Sequence, residues 1–239
     1  MLYHILIDRF GISDHSVGKI CFKGGNLRGI LSKLDYIQEL GADGIMLTPF
    51  YKTDAYHGYH ITDYEQIDPH FGTWDDVRQF VDGVHRRGMI IVADFVANHC
   101  HEKNSLFADG KHHDWFLWNK DGSVKGFAGL GFLPMFNTDN PEVRDYLTNK
   151  GLELCRMGFD AMRLDYATGP SYRFWKYFHK KLHAERPEIQ LIGEVWGNMD
   201  FKPRCYIRYR LNCLRYSLQE ARQLEYVGIL DGVFNFSYQ

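Results

Sequence analysis

The chain has 239 residues, 45% hydrophobic and 24% charged, with a formal net charge of −2. That is the composition of an ordinary folded domain, and it gives no electrostatic case for a nucleic acid partner or an anionic membrane surface. No apolar run approaches the length of a membrane span, so no membrane association is expected.

The N-terminus, Met1 to Phe10, has no basic start, a short apolar run and no small-residue cleavage site. It is not a signal peptide, so a cytoplasmic protein is expected, with upstream sequence left open. Five cysteines cannot all pair within the chain, and no C-x-x-C occurs; free thiols in a reducing compartment are expected.

Tyr3–Ile7 reads as a first strand. Leu27, Ile30, Leu31, Leu34, Ile37 and Leu40 form a helical stripe that Gly41 stops. Gly44–Thr48 is a second strand, and residues 50–72 a long connection rich in Tyr, His and Asp. Thr73 caps a helix with Asp75 and Asp76 in its first turn and Gly88 beyond its end. Met89–Val96, almost continuously apolar, is a third strand buried on both faces. Residues 97–139 show no period, as expected of a functional loop or small subdomain. Pro141 opens a helix to about Met157, followed by a strand at Phe159–Asp165, a helix over 171–184 and a strand at Ile189–Glu194. A helix over much of 207–226 and a sixth strand at Ile229–Phe236 complete the chain.

Strands that alternate with helices and are apolar on both faces predict an α/β fold with a parallel sheet. No G-x-G-x-x-G follows the first strand, which disfavours a dinucleotide-binding doubly wound sheet. Polar residues gather at the C-terminal ends of the strands, where a β/α (TIM) barrel builds its active site. The expected layout is a first barrel segment over 1–97 with strands one to three, an inserted subdomain over 98–139, and a second barrel segment over 140–239 with strands four to six.

The segment Gly158–Asp165 places Arg163 and Asp165 two residues apart on a strand, hence on one face. Alone, such a pair is an ordinary structural ion pair. Asp94, Asn98 and His99 follow the third strand, Glu194 and Trp196 the fifth, and Tyr59 lies in the loop after the second. Together they aim Asp165 and Glu194, from neighbouring strands, at one cleft. Two carboxyls facing a cleft suit glycoside hydrolysis, one as nucleophile and the other as acid and then base. Gly193 would let a substrate approach closely and Trp196 would dry Glu194, while Arg163 would hold Asp165 ionised.

These motifs resemble those of the α-amylase family of glycoside hydrolases. Asp94–His99 is similar to its signature D-x-x-x-N-H, Gly158–Asp165 to G-(F/I)-D-x-x-R-x-D, and Ile192–Trp196 to the segment around the acid/base. Gly58-Tyr59 through Asp63-Tyr64 and Ile67–Thr73 resemble its loop after the second strand, and Leu133–Asn137 its subdomain motif. The resemblance implies Asp165 as nucleophile, Glu194 as general acid/base and Arg163 as the group orienting Asp165. It implies that His99 bonds a sugar hydroxyl, Tyr59 stacks on the sugar, and Asp94 braces Arg163. The implied substrate is an α-glucan oligosaccharide of the starch or maltodextrin type, cleaved at α-1,4 bonds with retention. A glucan transferase and an impaired sugar-binding fragment are the alternatives.

No cofactor is required by that chemistry. Asn98 sits where many family members bind a structural calcium, but His60 and Met135 depart from the calcium-binding pattern, and a thioether is a poor calcium ligand. His99, His101, His112 and His113 match no zinc spacing. The resemblance implies eight strands where six are read here, and the family's later His-Asp signature, which carries a third catalytic aspartate, is absent. An incomplete (β/α)8 barrel is therefore expected, with open sheet edges that invite self-association or a complementing C-terminal half.

Overall fold

A computed structural model of the chain describes residues 1–10, 21–195, 203 and 206–234. Its six-stranded sheet is parallel throughout: β1 (Leu2–Ile5), β2 (Gly44–Leu47), β5 (Ile90–Val96), β6 (Ala161–Asp165), β7 (Gln190–Gly193) and β8 (Gly232–Val233), side by side in that order. A short antiparallel pair, β3 (Tyr51–Thr53) and β4 (Ile61–Ile67), stands apart from it. The helices are α1 (Leu27–Leu31), α2 (Leu34–Glu39), α3 (Trp74–His85), α4 (Ser105–Ala108), α5 (Pro141–Arg156), α6 (Tyr172–Glu185), α7 (Tyr206–Cys213) and α8 (Leu218–Gln223). Successive parallel strands joined by helices make this an incomplete β/α barrel.

The predicted strands and helices fall where the periodicity places them, with four differences. The sixth strand, expected over Ile229–Phe236, is Gly232–Val233 among the described residues. The stripe over 27–41 is two short helices, because Lys33 (φ −114°, ψ 11°) leaves helical geometry between them. The connection over 50–72 contains the β3–β4 pair, whose register shifts blur its alternation. The helix expected over 207–226 breaks at Tyr216-Ser217, where Ser217 and Glu220 form a capping box that starts a new helix. Thr73 and Asp76 form the same device on α3.

The core lies between the outer face of the sheet and the helices. Helix α6 turns Phe174, Trp175, Phe178 and Leu182 inward, all fully buried, and Phe178 meets Phe95 of β5 at 5.2 Å. Full burial of each such side chain contributes about 1.5–3 kcal/mol. Met46, Val92 and Ala161 form a smaller apolar layer on the opposite face, with Phe234 packed against it. The register carries the next layer of that face: Asp94 pairs across from Arg163, and Arg163 from Ile192. Side chains alternate along a strand, so Asp165 rises on the same face as Arg163, one step nearer the C-terminal end.

Among the described residues no helix is long and apolar enough to cross a membrane. Cys100, Cys155 and Cys213 are free thiols; burial pushes Cys155 up to about 11. Cys205 lies outside the described residues.

Candidate active site

Three strand ends deliver charge to one place. Arg163 on β6 is the hub. Its guanidinium lies 2.7 Å from Asp94 of β5, 2.8 Å from Asp165 and 2.5 Å from Glu194, the residue after β7. None of the four side chains is more than 19% exposed. One cation therefore serves three carboxylates in a nearly dry setting.

That imbalance decides the protonation of the cluster. Burial pushes the Asp165 carboxyl up, the charge of Asp94 adds to the push, and Arg163 pulls down without prevailing. Asp94 is likewise raised, by burial first, against the pull of Arg163 and of the Tyr59 hydroxyl. Burial works against the charge on Arg163, but Asp94 and Asp165 more than offset it, and the guanidinium stays protonated. Asp94 and Asp165 are thus raised together, and each one's charge is felt by the other. Arg163 does touch Asp165 as expected from the sequence, but its pull is divided three ways.

Tyr59 donates to Asp94 at 2.6 Å and lies 3.3 Å from Arg163. It is placed by Gly58, whose φ of +87° and contact with Pro49 forbid a side chain: a Cβ there would stand 2.0 Å from the Pro49 carbonyl oxygen. The Tyr64 hydroxyl on β4 lies 2.9 and 3.0 Å from the carbonyls of Val96 and His99 and pins the turn after β5.

His99 is buried, and burial lowers its imidazole to about 3, so the ring is neutral. It stacks on Phe127 with centroids 4.7 Å apart and planes 4° from parallel. Among the described residues its Nε2 has no hydrogen-bond partner. A buried polar atom left unmet costs about 1–3 kcal/mol, and one held beside a cleft is a seat for a ligand hydroxyl.

Residues 98–137 close over this point through backbone pairing of His99 with Met135, and through the Phe136 amide, which donates to the Asn98 carbonyl at 2.9 Å. The Asn98 amide is turned to His99 Nδ1 at 3.2 Å, and its Oδ1 lies against Gly169, where a Cβ would meet it at 1.9 Å. The Asn98 amide offers one hard oxygen where calcium needs several, and in this arrangement that amide packs against His99 and Gly169.

One expectation about the acid/base changes. A Cβ on Gly193 would meet Leu230 at 2.6 Å and Ala167 at 3.2 Å. The space beside Gly193 is thus taken by the chain's own Leu230 and Ala167. Trp196 lies outside the described residues. What does hold Glu194 is the Tyr166 amide, which donates to its carboxylate at 3.0 Å. Tyr166 reaches that position in a left-handed backbone conformation, φ +44°. Sequence reading misses it, because nothing in a Tyr after an Asp signals a positive φ.

A parallel β/α barrel whose strand ends converge on paired carboxylates is the build of a glycosidase domain. The "Alpha amylase, catalytic domain" family matches residues 4–128, and the chain belongs to the α-amylase family. It is 38% identical over 209 residues to "Alpha-amylase 2" of Dictyoglomus thermophilum, covering 82% of this chain and 36% of that protein. It is 37% identical over 191 residues to the "Intracellular maltogenic amylase" of Bacillus subtilis, covering 75% of this chain and 32% of that one. Among solved structures, an Anoxybacillus α-amylase superposes with a TM-score of 0.80 at 30% identity, over 99% of this chain and 52% of that one. The chain spans about a third of the length of the curated relatives it matches.

Proposed function

We propose that this chain carries the nucleophile and acid/base of a retaining glycoside hydrolase acting on α-1,4-linked glucans of the starch or maltodextrin class. The observation that supports this reading best is the single guanidinium of Arg163 spanning Asp94, Asp165 and Glu194. In the first step Asp165, reacting in its ionised form, bonds through one oxygen to the anomeric carbon while Glu194 gives its proton to the departing glycosidic oxygen. In the second, Glu194 takes a proton from water, whose oxygen displaces Asp165 and restores both carboxyls. Arg163 and Asp94 keep the two groups in place, and the unmet Nε2 of His99 takes a sugar hydroxyl. Tyr59, fixed by its bond to Asp94, offers its ring to the sugar. The relatives' names, α-amylase and maltogenic amylase, agree with an α-glucan substrate.

The test is hydrolysis of a chromogenic maltooligosaccharide by the purified chain, with the anomer of the product followed by NMR. The proposal expects the α-anomer first, and a loss of at least about a thousandfold in Asp165→Asn and in Glu194→Gln. Full activity in either variant, or the β-anomer as first product, would sink it. Maltooligosaccharide binding without turnover would support a sugar-binding domain instead.

A further inference from the structure

On the opposite side of the sheet, away from the carboxylates, α6 presents two histidines one helical turn apart, and the residue just before β8 is an aspartate. The Nε2 of His179 lies 3.1 Å from one Asp231 oxygen, and the Nε2 of His183 lies 3.0 Å from the other. The two imidazoles are stacked, with centroids 4.0 Å apart. The three ligand atoms fall within 4.8 Å of one another. Among the described residues no other group of His, Cys, Asp and Glu converges in this way.

Two details separate this cluster from a surface ion pair. The first is the tautomer of His183, whose Nδ1 lies 2.9 Å from the Pro187 carbonyl. A carbonyl only accepts, so Nδ1 carries a proton. In the neutral ring, Nε2 then presents a lone pair to a carboxylate, which is also an acceptor. That contact is favourable only with a cation there, either a second proton on the ring or a metal ion. A backbone carbonyl fixing the far nitrogen is also how metal-bound histidines are oriented. The second detail is the hold on the carboxylate. The Leu191 amide donates to Asp231 at 2.8 Å, so the acceptor is fixed before any ion arrives.

From this geometry we infer a binding site for a divalent transition-metal ion of the zinc class, held by His179, His183 and Asp231. A tetrahedral zinc ion with bonds of about 2.0–2.1 Å sets its ligand atoms roughly 3.3 Å apart; each histidine stands near that distance from its own Asp231 oxygen, and the three ligand atoms, within 4.8 Å of one another, draw together slightly around the ion. Two imidazoles and one carboxylate supply three vertices. The side chains are 20–34% exposed, so the fourth vertex belongs to water. The nitrogen donors select zinc-class ions over magnesium or calcium. The ligands come from positions 48 and 52 residues apart, so the ion staples the end of α6 to the start of β8. The N-terminal side of a β/α sheet serves stability rather than chemistry, and the role of the site is structural. It is independent of the carboxylate cluster.

The experiment uses the whole chain, freed of metal with a chelator. It is then titrated with Co2+, followed by its visible absorption, and with Zn2+ by calorimetry. One ion per chain is expected, with no uptake of Mg2+ at the same concentration and a rise in melting temperature with Zn2+. His179→Gln leaves the bonds of His183 to Pro187 and of Asp231 to Leu191 in place, so the fold is kept. It should weaken Zn2+ binding at least about tenfold and remove the thermal shift. Asp231→Asn should do the same, whereas the pair His112→Gln and His113→Gln should leave binding unchanged. No uptake at millimolar Zn2+, or uptake of equal strength in His179→Gln, would overturn the assignment.

Discussion

The two ends of β6 carry charge clusters of opposite character. At the start of the strand Asp160 meets Arg186 at 2.7 Å and His85 at 2.9 Å, and it also accepts the Ile91 amide at 2.8 Å. Those side chains are 20–37% exposed. The carboxylate is well supplied with donors, and water moderates the charges. At the other end, three carboxylates crowd one guanidinium with almost no water. The first cluster is what a strand needs to be held in register. The second stores electrostatic tension that the fold must offset elsewhere, and such tension is concentrated where chemistry is done.

The contrast can be broken most severely at its hub. Arg163→Met leaves three buried carboxylates without a counter-ion, and a loss of about 3–5 kcal/mol in unfolding free energy is expected, measured by urea denaturation. Retained stability would mean that the carboxylates reach water and that the crowding is not felt. A sharper probe is Asp165→Asn, which removes one charge from the crowded end. Because the Asp165 carboxyl is raised in the folded state above its ordinary value of 3.8, the folded protein holds a proton that the unfolded chain releases. Its contribution to stability is therefore full below that value and is lost as pH rises above it. The asparagine variant should flatten this decline and be more stable at neutral pH by roughly 0.5–2 kcal/mol, read from melting curves across pH. A steeper decline in the variant would reverse the sign assigned here. The smallest effect belongs to the wet end. His85→Ala should cost less than about 1 kcal/mol, and a larger loss would erase the distinction between the two ends.

Much of this is legible in the chain. Period-two and near-continuous apolar runs mark the strands, and the polar residues that stop them, Asp94, Asp165 and Glu194, mark the end where a cleft forms. The register of Asp94 opposite Arg163 follows from the same alternation once the strands are neighbours. Contacts that depend on how far one strand advances along the next are not legible. That Arg163 also grips Glu194, and so must divide its charge, depends on how far β7 advances along β6. The β3–β4 pair is hidden by its irregular register, and Gly193 suggests a substrate contact although Leu230 stands against it. The histidine pair of α6 has a readable signal in its four-residue spacing. It escapes a sequence reading because its third member, Asp231, lies far along the chain.

The left-handed turn at Tyr166 has a geometric consequence. Its amide follows directly on Asp165 and is bonded to Glu194, so the main chain that carries one carboxyl of the cluster also grips another. The bond makes a calliper with one arm set by a peptide unit. For the nucleophile and acid/base proposed above, the gap that their chemistry needs is thus held on one side by main chain.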